Sequence, residues 1–207
     1  MHRSLTTKII LLLTTVAAAA VGTWLLWSYI FSFQTVTFHF DRQLGYIELS
    51  GNNQPNYYPA DNQPVKLKKG TYQVRSVGAH IAADRHAQVI DGSTSNITAE
   101  FGYSRSYLDT LYLGEQQVIE STLIAAYPKV ATDYDIRHGK LYHLGEVYGA
   151  SLVMRDQSND NADILHVLME KKNGSWIILS KPPMPILSAP LYPSISRNIL
   201  VDINRAQ

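Results

Sequence analysis

Three hydrophobic rhythms follow one another along the chain: an unbroken apolar run, a period-two alternation, and a three-to-four spacing that gives way to strands again. The first runs from Ile9 to Phe31 without a charged side chain. Its about 23 residues are close to the ~20 needed to cross ~30 Å of hydrocarbon. Backbone groups in lipid must bond within their own segment, so this run predicts a single transmembrane helix. Arg3 and Lys8 precede it and no acid appears before Asp41. The excess of positive charge on that side places the N-terminus in the cytoplasm and everything beyond residue 34 outside. Trp24, Trp27, Tyr29, Phe31 and Phe33 crowd the far end, where amphipathic rings suit the headgroup zone. Thr14, Ala18 and Gly22 recur four apart on one helix face, a spacing that lets two helices approach closely. A cleaved signal peptide competes with the anchor, because Ala18-Ala19-Ala20 and Ala20-Val21-Gly22 resemble small-residue cleavage sites. Cleavage there would leave the greasy start Trp24-Leu25-Leu26-Trp27, so the anchor is preferred.

From residue 35 to about 103 the pattern alternates with period two, the mark of half-buried strands. Val36, Phe38 and Phe40 oppose Thr35, Thr37 and His39, and Ile47 and Leu49 oppose Tyr46 and Glu48. Val65 and Leu67 oppose Lys66 and Lys68, and Tyr72 and Val74 oppose Gln73 and Arg75. Ile97, Ala99 and Phe101 complete the set. Residues 51–64 read as a polar loop, Lys69-Gly70 as a tight turn and Asp91-Gly92 as a hairpin signal. Short strands with no helical period between them predict an antiparallel sandwich.

The period changes at Tyr107. Leu108, Leu111, Tyr112, Val118, Ile119, Leu123 and Ala126 predict an amphipathic helix that ends before Pro128, with Gly114 as a point of weakness. Strands follow around Leu141 to His143, after a turn at His138-Gly139, and from Glu146 to Met154. Ile164 to Met169 pairs with Trp176 to Leu179 across the strong turn signal Asn173-Gly174. Residues 182–185 end regular pairing, and Ile195 to Ile203 suggest a closing helix capped by Ser194. The expected architecture is therefore α+β: an anchor over 1–34, a β-sandwich over 35–106, and a helix packed on a bent antiparallel sheet over 107–207.

The stretch Val65-Lys-Leu-Lys-Lys-Gly70-Thr-Tyr72-Gln-Val74, then Gly78, then Val89-Ile-Asp-Gly92-Ser-Thr94 and Ile97, resembles the second half of PEGA-type surface domains. The family's naming motif Pro-Glu-Gly-Ala is absent, and the first half shares only strand rhythm. The resemblance covers about a third of the chain and implies a non-catalytic β-sandwich of the cell surface. The order of elements after residue 107 is similar to that of NTF2-like and cystatin-like folds. Order of elements alone carries no function.

Composition narrows the chemistry. The 207 residues carry 18 basic and 17 acidic side chains, so there is no positive field for nucleic acid. Cysteine is absent, which excludes thiol catalysis, disulfides and cysteine-based zinc sites. No cofactor fingerprint, phosphate loop, His-Glu-x-x-His helix or serine elbow occurs. His80, Asp84 and His86 lie close together without zinc-type spacing and read as solvated loop residues, so no metal site is expected. Asp133 with Asp135, and Asp160 with Asp163, read as surface carboxylates. Asn96-Ile97-Thr98 and Asn173-Gly174-Ser175 fit the glycosylation tripeptide, with Asn173 better explained as a turn residue.

What remains is exposed aromatic surface. Tyr57, Tyr58 and Tyr192 lie in polar or Pro-rich stretches, and tyrosine offers large contact area at low entropy cost. The expectation is a single-pass protein of the cell membrane, in contact with the lipid bilayer. Its outer modules would bind an envelope protein or a glycan without catalysis. One alternative is an enzyme with a scattered site in the C-terminal module, for which Asp133, His143, Glu146 and His166 are nearest to hand. Another is a membrane-complex subunit assembled through Thr14, Ala18 and Gly22.

Overall fold

A computed structural model describes residues 2–51, 54–155 and 164–206, with side chains from residue 12 onward except at Gln54. It is an α+β structure whose chain divides into two compact units, Met1–Val77 with Asp84–Glu100, and Gly78–Ala83 with Phe101–Gln207. Asp160 and Asp163 lie outside the described residues.

The first unit opens with helix α1 (His2–Ile30). Its segment Leu12–Ile30 is long and apolar enough to cross a membrane, with mean hydropathy 1.4 and none of it buried. Seven strands follow: β1 (Phe33–His39), β2 (Tyr46–Gly51), β3 (Gln54–Tyr57), β4 (Pro64–Lys68), β5 (Gly70–Val77), β6 (Arg85–Ile90) and β7 (Asn96–Thr98). They form two sheets, β4-β1-β7 and β3-β2-β5-β6. Pairing is antiparallel except between β1 and β7, which run parallel. The alternation of the sequence decides which side chains are buried: Val36, Phe38, Ile47, Leu49, Val74, Ile90 and Ile97 are inside. Between them stand outward polar side chains, as a two-sided sheet requires.

Three local readings change. The polar loop over 51–64 contains β3, a four-residue edge strand with no apolar alternation to betray it. Its Pro55 is tolerated because an edge strand leaves one row of backbone donors unused. Lys69-Gly70 does not close a hairpin, since β4 and β5 belong to different sheets and the chain crosses between them there. Asp91-Gly92 likewise joins strands of different sheets, β6 and β7. Asp91 Oδ1 accepts from the Ser93 hydroxyl and from the Ser93 and Thr94 amides. Those donors, the Ser93 hydroxyl foremost, lower its carboxyl to about 2. The Asp-Gly signal was therefore a turn signal, and the side chain rather than strand pairing closes it.

The second unit carries α2 (Arg105–Ala126), α3 (Lys129–Asp133), β8 (Tyr134–Tyr142), β9 (Val147–Met154), β10 (Ile164–Lys172), β11 (Ser175–Ile178) and α4 (Arg197–Arg205). The sheet order is β11-β10-β9-β8, antiparallel throughout. Asn173 and Gly174 both have positive φ, 52° and 80°, which closes the β10–β11 hairpin with the expected two-residue turn. Strand β9 is buried along almost its whole length, because both faces of the sheet are covered. That is why its sequence is a continuous apolar run instead of an alternation. On one face α2 and α3 pack Leu108, Ile119, Leu123 and Val130 against Tyr148, Ala150, Leu152, Val167 and Met169. On the other face α4 and the preceding segment pack Leu187, Tyr192, Ile195, Leu200 and Ile203 against Val147 and Leu168.

Here too the structure corrects details. His138-Gly139 is not a turn between strands: β8 runs through it with a register shift between Arg137 and Lys140. A side chain at Gly139 would meet the hydroxyls of Tyr112 and Tyr148 at 2.6 and 2.7 Å, so the bulge gives these two stacked rings their room. The N-cap position of the last helix is Ser196, not Ser194, without a hydrogen bond from its side chain, and the helix begins after Ile195 has entered the core. Gly114 does not break α2, which runs unbroken through it, and a Cβ there would touch nothing within 4 Å. Gly114→Ala should therefore raise the stability of this unit by about 0.5–1 kcal/mol, read as an upward shift in the denaturation midpoint. A lower midpoint would show that this turn of α2 needs glycine.

Candidate functional site

Strand alternation and register bring an aromatic and charged cluster to the outer face of β3-β2-β5-β6. Tyr46 and Glu48 stand two apart on β2, hence on the same face. Glu48 is directly opposite Arg75 on β5, and Arg75 is directly opposite Arg85 on β6. Arg75 Nη1 reaches Glu48 Oε2 at 3.4 Å, and Asn56 Nδ2 donates to Glu48 Oε1 at 2.5 Å. Among the described residues no carboxylate pairs with Arg85. Tyr58 and Tyr46 meet edge to face, ring centroids 5.7 Å apart and interplanar angle 66°. Both remain open to solvent, at 55% and 47% exposure, whereas Tyr57 stands opposite Leu49, on the other face of the sheet, and is 40% exposed.

Tyr192 does not join them. It is buried in the α4-side core, where burial raises its phenol pKa and its hydroxyl faces Met184 Sδ at 3.5 Å. The Pro-rich stretch that suggested an exposed ring packs onto the sheet instead. Thr14, Ala18 and Gly22 do share a face of α1, and Gly22 has nothing within 4 Å.

The four residues of the enzyme alternative are not brought together. His143 Nδ1 and Glu146 Oε2 approach to 3.7 Å in the exposed turn between β8 and β9. His166 lies on β10, opposite Ser151. Glu170, which pairs with Val147, is four residues further along, so about 13 Å separates His166 from that turn. Asp133 ends α3, where its Oδ1 accepts from Thr132. None of the four lines the groove of about 480 Å³ bounded by Glu120, Ile124, Val130, Tyr134, Asp135, Arg137 and Arg155. In that groove Arg155 Nε holds Asp135 Oδ1 at 2.9 Å and Nη1 donates to the Ala131 and Thr132 carbonyls. The Arg155 hydrogen bond, reinforced by Arg137, keeps the Asp135 carboxyl below its usual range. These bonds tie α3 to the sheet.

His166 and Ser151 form a buried pair at 3.3 Å. The Ser151 hydroxyl donates to the Ala206 carbonyl, so it accepts from His166 Nδ1–H. That polarity is opposite to what a nucleophilic serine needs, where imidazole takes the hydroxyl proton. His80, placed by its neighbours in a solvated loop, belongs to the second unit and stacks on Tyr107 at 3.9 Å. Among the described residues no cluster of three His, Asp or Glu side chains is arranged to hold a metal.

His39 has the opposite character to His166. Its Nδ1 faces Asn62 Oδ1 at 2.6 Å and its Nε2 faces Asn96 Oδ1 at 3.3 Å. These bonds, the Asn62 one first, raise its pKa above 6.5, with Asp61 adding to them. Burial lowers the pKa of His166. A raised histidine contributes stability below pH 6.5 that is lost as the pH climbs through its folded value. A lowered histidine leaves stability intact above 6.5 and erodes it as the pH falls towards and through its folded value. Amide exchange, corrected for intrinsic rate, should thus show β1 and β7 losing protection from pH 6 to 8. Strands β9 and β10 should lose it from pH 6.5 to 5. Both trends should vanish in His39→Gln and His166→Gln respectively; parallel trends in the two units would refute the assignment.

Alternation alone put Tyr46, Glu48 and Arg75 on outward positions. What the sequence withheld was the strand order that sets Arg85 beside Arg75 and brings Asn56 and Tyr58 to β2. The chain matches no protein-family model, no curated protein and no solved structure.

Proposed function

We propose that this chain is a single-pass membrane protein whose two folded units act outside the membrane as non-catalytic binding or assembly modules. The observation that carries the reading is α1: over Leu12–Ile30 its apolar side chains are uncovered, and none of the segment is buried. At about 0.3–0.6 kcal/mol for each Leu, Ile, Val or Phe, with no charge opposing them, such side chains favour the bilayer. Arg3 and Lys8 on the N-terminal side keep that end in the cytoplasm. The first unit then serves as a PEGA-like surface domain, and its ligand is an envelope protein or glycan.

Alkaline carbonate extraction of membranes carrying a C-terminally tagged chain tests the anchor, and protease treatment of intact spheroplasts tests the orientation. The chain should stay in the pellet and the tag should be digested. Release into the supernatant, or a tag that survives until the cells are lysed, overturns the proposal.

A further inference from the structure

The geometry points to the outer face of β3-β2-β5-β6 as a binding site for an acidic saccharide, with the sugar ring on Tyr58 and Tyr46 and its acid group on Arg75 and Arg85. The inference rests on the reading of the first unit as an outward binding module, and names its ligand.

Two features of this face are costly unless something binds there. Like charges directly opposite one another on neighbouring strands repel, and Arg75 and Arg85 occupy such a pair of positions. Only Glu48 stands in the same row, and both of its oxygens are already engaged, by Asn56 and Arg75. Arg75 spends one Nη on it and its Nε is buried without a partner, while Arg85 is exposed and has no carboxylate partner among the described residues. The local balance is two cations against one anion. A planar guanidinium pair of this kind suits a carboxylate or sulfate, which takes parallel N–H bonds.

The second feature is the pair of exposed rings. Tyr46 and Tyr58 expose aromatic surface next to a polar row, the mixture that matches a pyranose with its apolar C–H face and its rim of hydroxyls. Glu48 lies between the rings and the arginines, and Asn56, whose amide N–H it accepts, keeps its amide oxygen for one of those hydroxyls. With about 4.8 Å between strands and about 6.7 Å between same-face neighbours, the Tyr46 and Arg85 positions are about 12 Å apart. That span suits one or two sugar rings.

The test is ligand-observed saturation-transfer NMR on the full chain in nanodiscs. The probes are digalacturonate, a sulfated heparin disaccharide, neutral cellobiose and inorganic sulfate. At least one acidic disaccharide should bind, more tightly than cellobiose and sulfate, and more weakly as salt is raised. Tyr58→Ala and Arg85→Gln, both at exposed positions, should each weaken it by about tenfold with the melting midpoint unchanged. Failure of both acidic disaccharides, sulfate competing as well as they do, or affinity unmoved by both variants overturns the inference. Since the probes reach both sides of a nanodisc, none of these outcomes depends on the orientation that spheroplast proteolysis reads.

Discussion

Gly149→Ala should destabilise the second unit by about 2 kcal/mol, and Gly149→Val by more. Strand β9 carries Gly149 on the face where α4 docks, and a Cβ there would lie 2.3 Å from Ile203 Cδ1 and 2.4 Å from Cγ1. Neither atom can step aside cheaply, because Ile203 is itself in the closed core with Leu200, Leu187 and Leu168. Overpacking of this kind typically costs 1–3 kcal/mol. Ile203→Ala alone removes packing and should cost about 2–5 kcal/mol. In the double variant the new methyl occupies the space that Ile203 leaves, so the two losses should fall short of additive by more than about 1 kcal/mol. Opening free energies from amide exchange of β9 and β10 read all three. An unperturbed Gly149→Ala, or strict additivity, would show that α4 does not depend on this close approach.

The same contact marks the limit of what the chain's pattern discloses. The long run from Glu146 to Met154 announces a strand, and the period after Tyr107 announces the helix that covers one face of its sheet. What covers the other face is α4 and the segment before it, whose prolines read as the end of regular structure and little else. Nothing local in Gly149 signals that Ile203 will rest on it, because the two are joined only by tertiary packing. The first unit repeats the lesson. Which side chains point inward follows from alternation, but which strand neighbours which depends on turns that cross between sheets. Lys69-Gly70 and Asp91-Gly92 carry the same residue types as hairpin turns, and here they connect different sheets. For that reason the pairing of Arg75 with Arg85, and the approach of Asn56 to Glu48, were not legible: alternation set Glu48 and Arg75 outward, while Asn56 and Arg85 lay in stretches read as loops. Tyr192 failed in the opposite sense: polar and proline neighbours suggested exposure, while the cavity between sheet and α4 needed a large apolar body.

Removing the Glu115 carboxylate should release α2 from the β10–β11 hairpin. Its Oε1 accepts from Lys171 Nζ at 2.5 Å and its Oε2 from Trp176 Nε1 at 2.8 Å. Lys171 Nζ also lies over the Trp176 ring at 5.7 Å, so three side chains from three elements, α2, β10 and β11, share one arrangement. The Lys171 and Glu115 side chains are only 28% and 30% exposed, which shields the pair from much of the screening that makes surface ion pairs weak. Glu115→Ala leaves an ammonium and an indole N–H half-buried without their acceptor, and should cost about 2 kcal/mol. Glu115→Gln keeps an acceptor for Trp176 and gives up the charge, so its cost should be nearer 1 kcal/mol. The pH dependence separates electrostatics from packing. The Lys171 bond, followed by the Trp176 bond, lowers the Glu115 pKa below 4.5. A lowered carboxyl contributes stability that is complete above 4.5 and lost as the pH falls through its folded value. Wild type should therefore weaken more steeply than Glu115→Gln between pH 5 and the acid limit, and the two curves should converge once the carboxyl is protonated. Curves that stay parallel throughout would mean that the carboxylate's charge contributes nothing and that α2 is held by its apolar face alone.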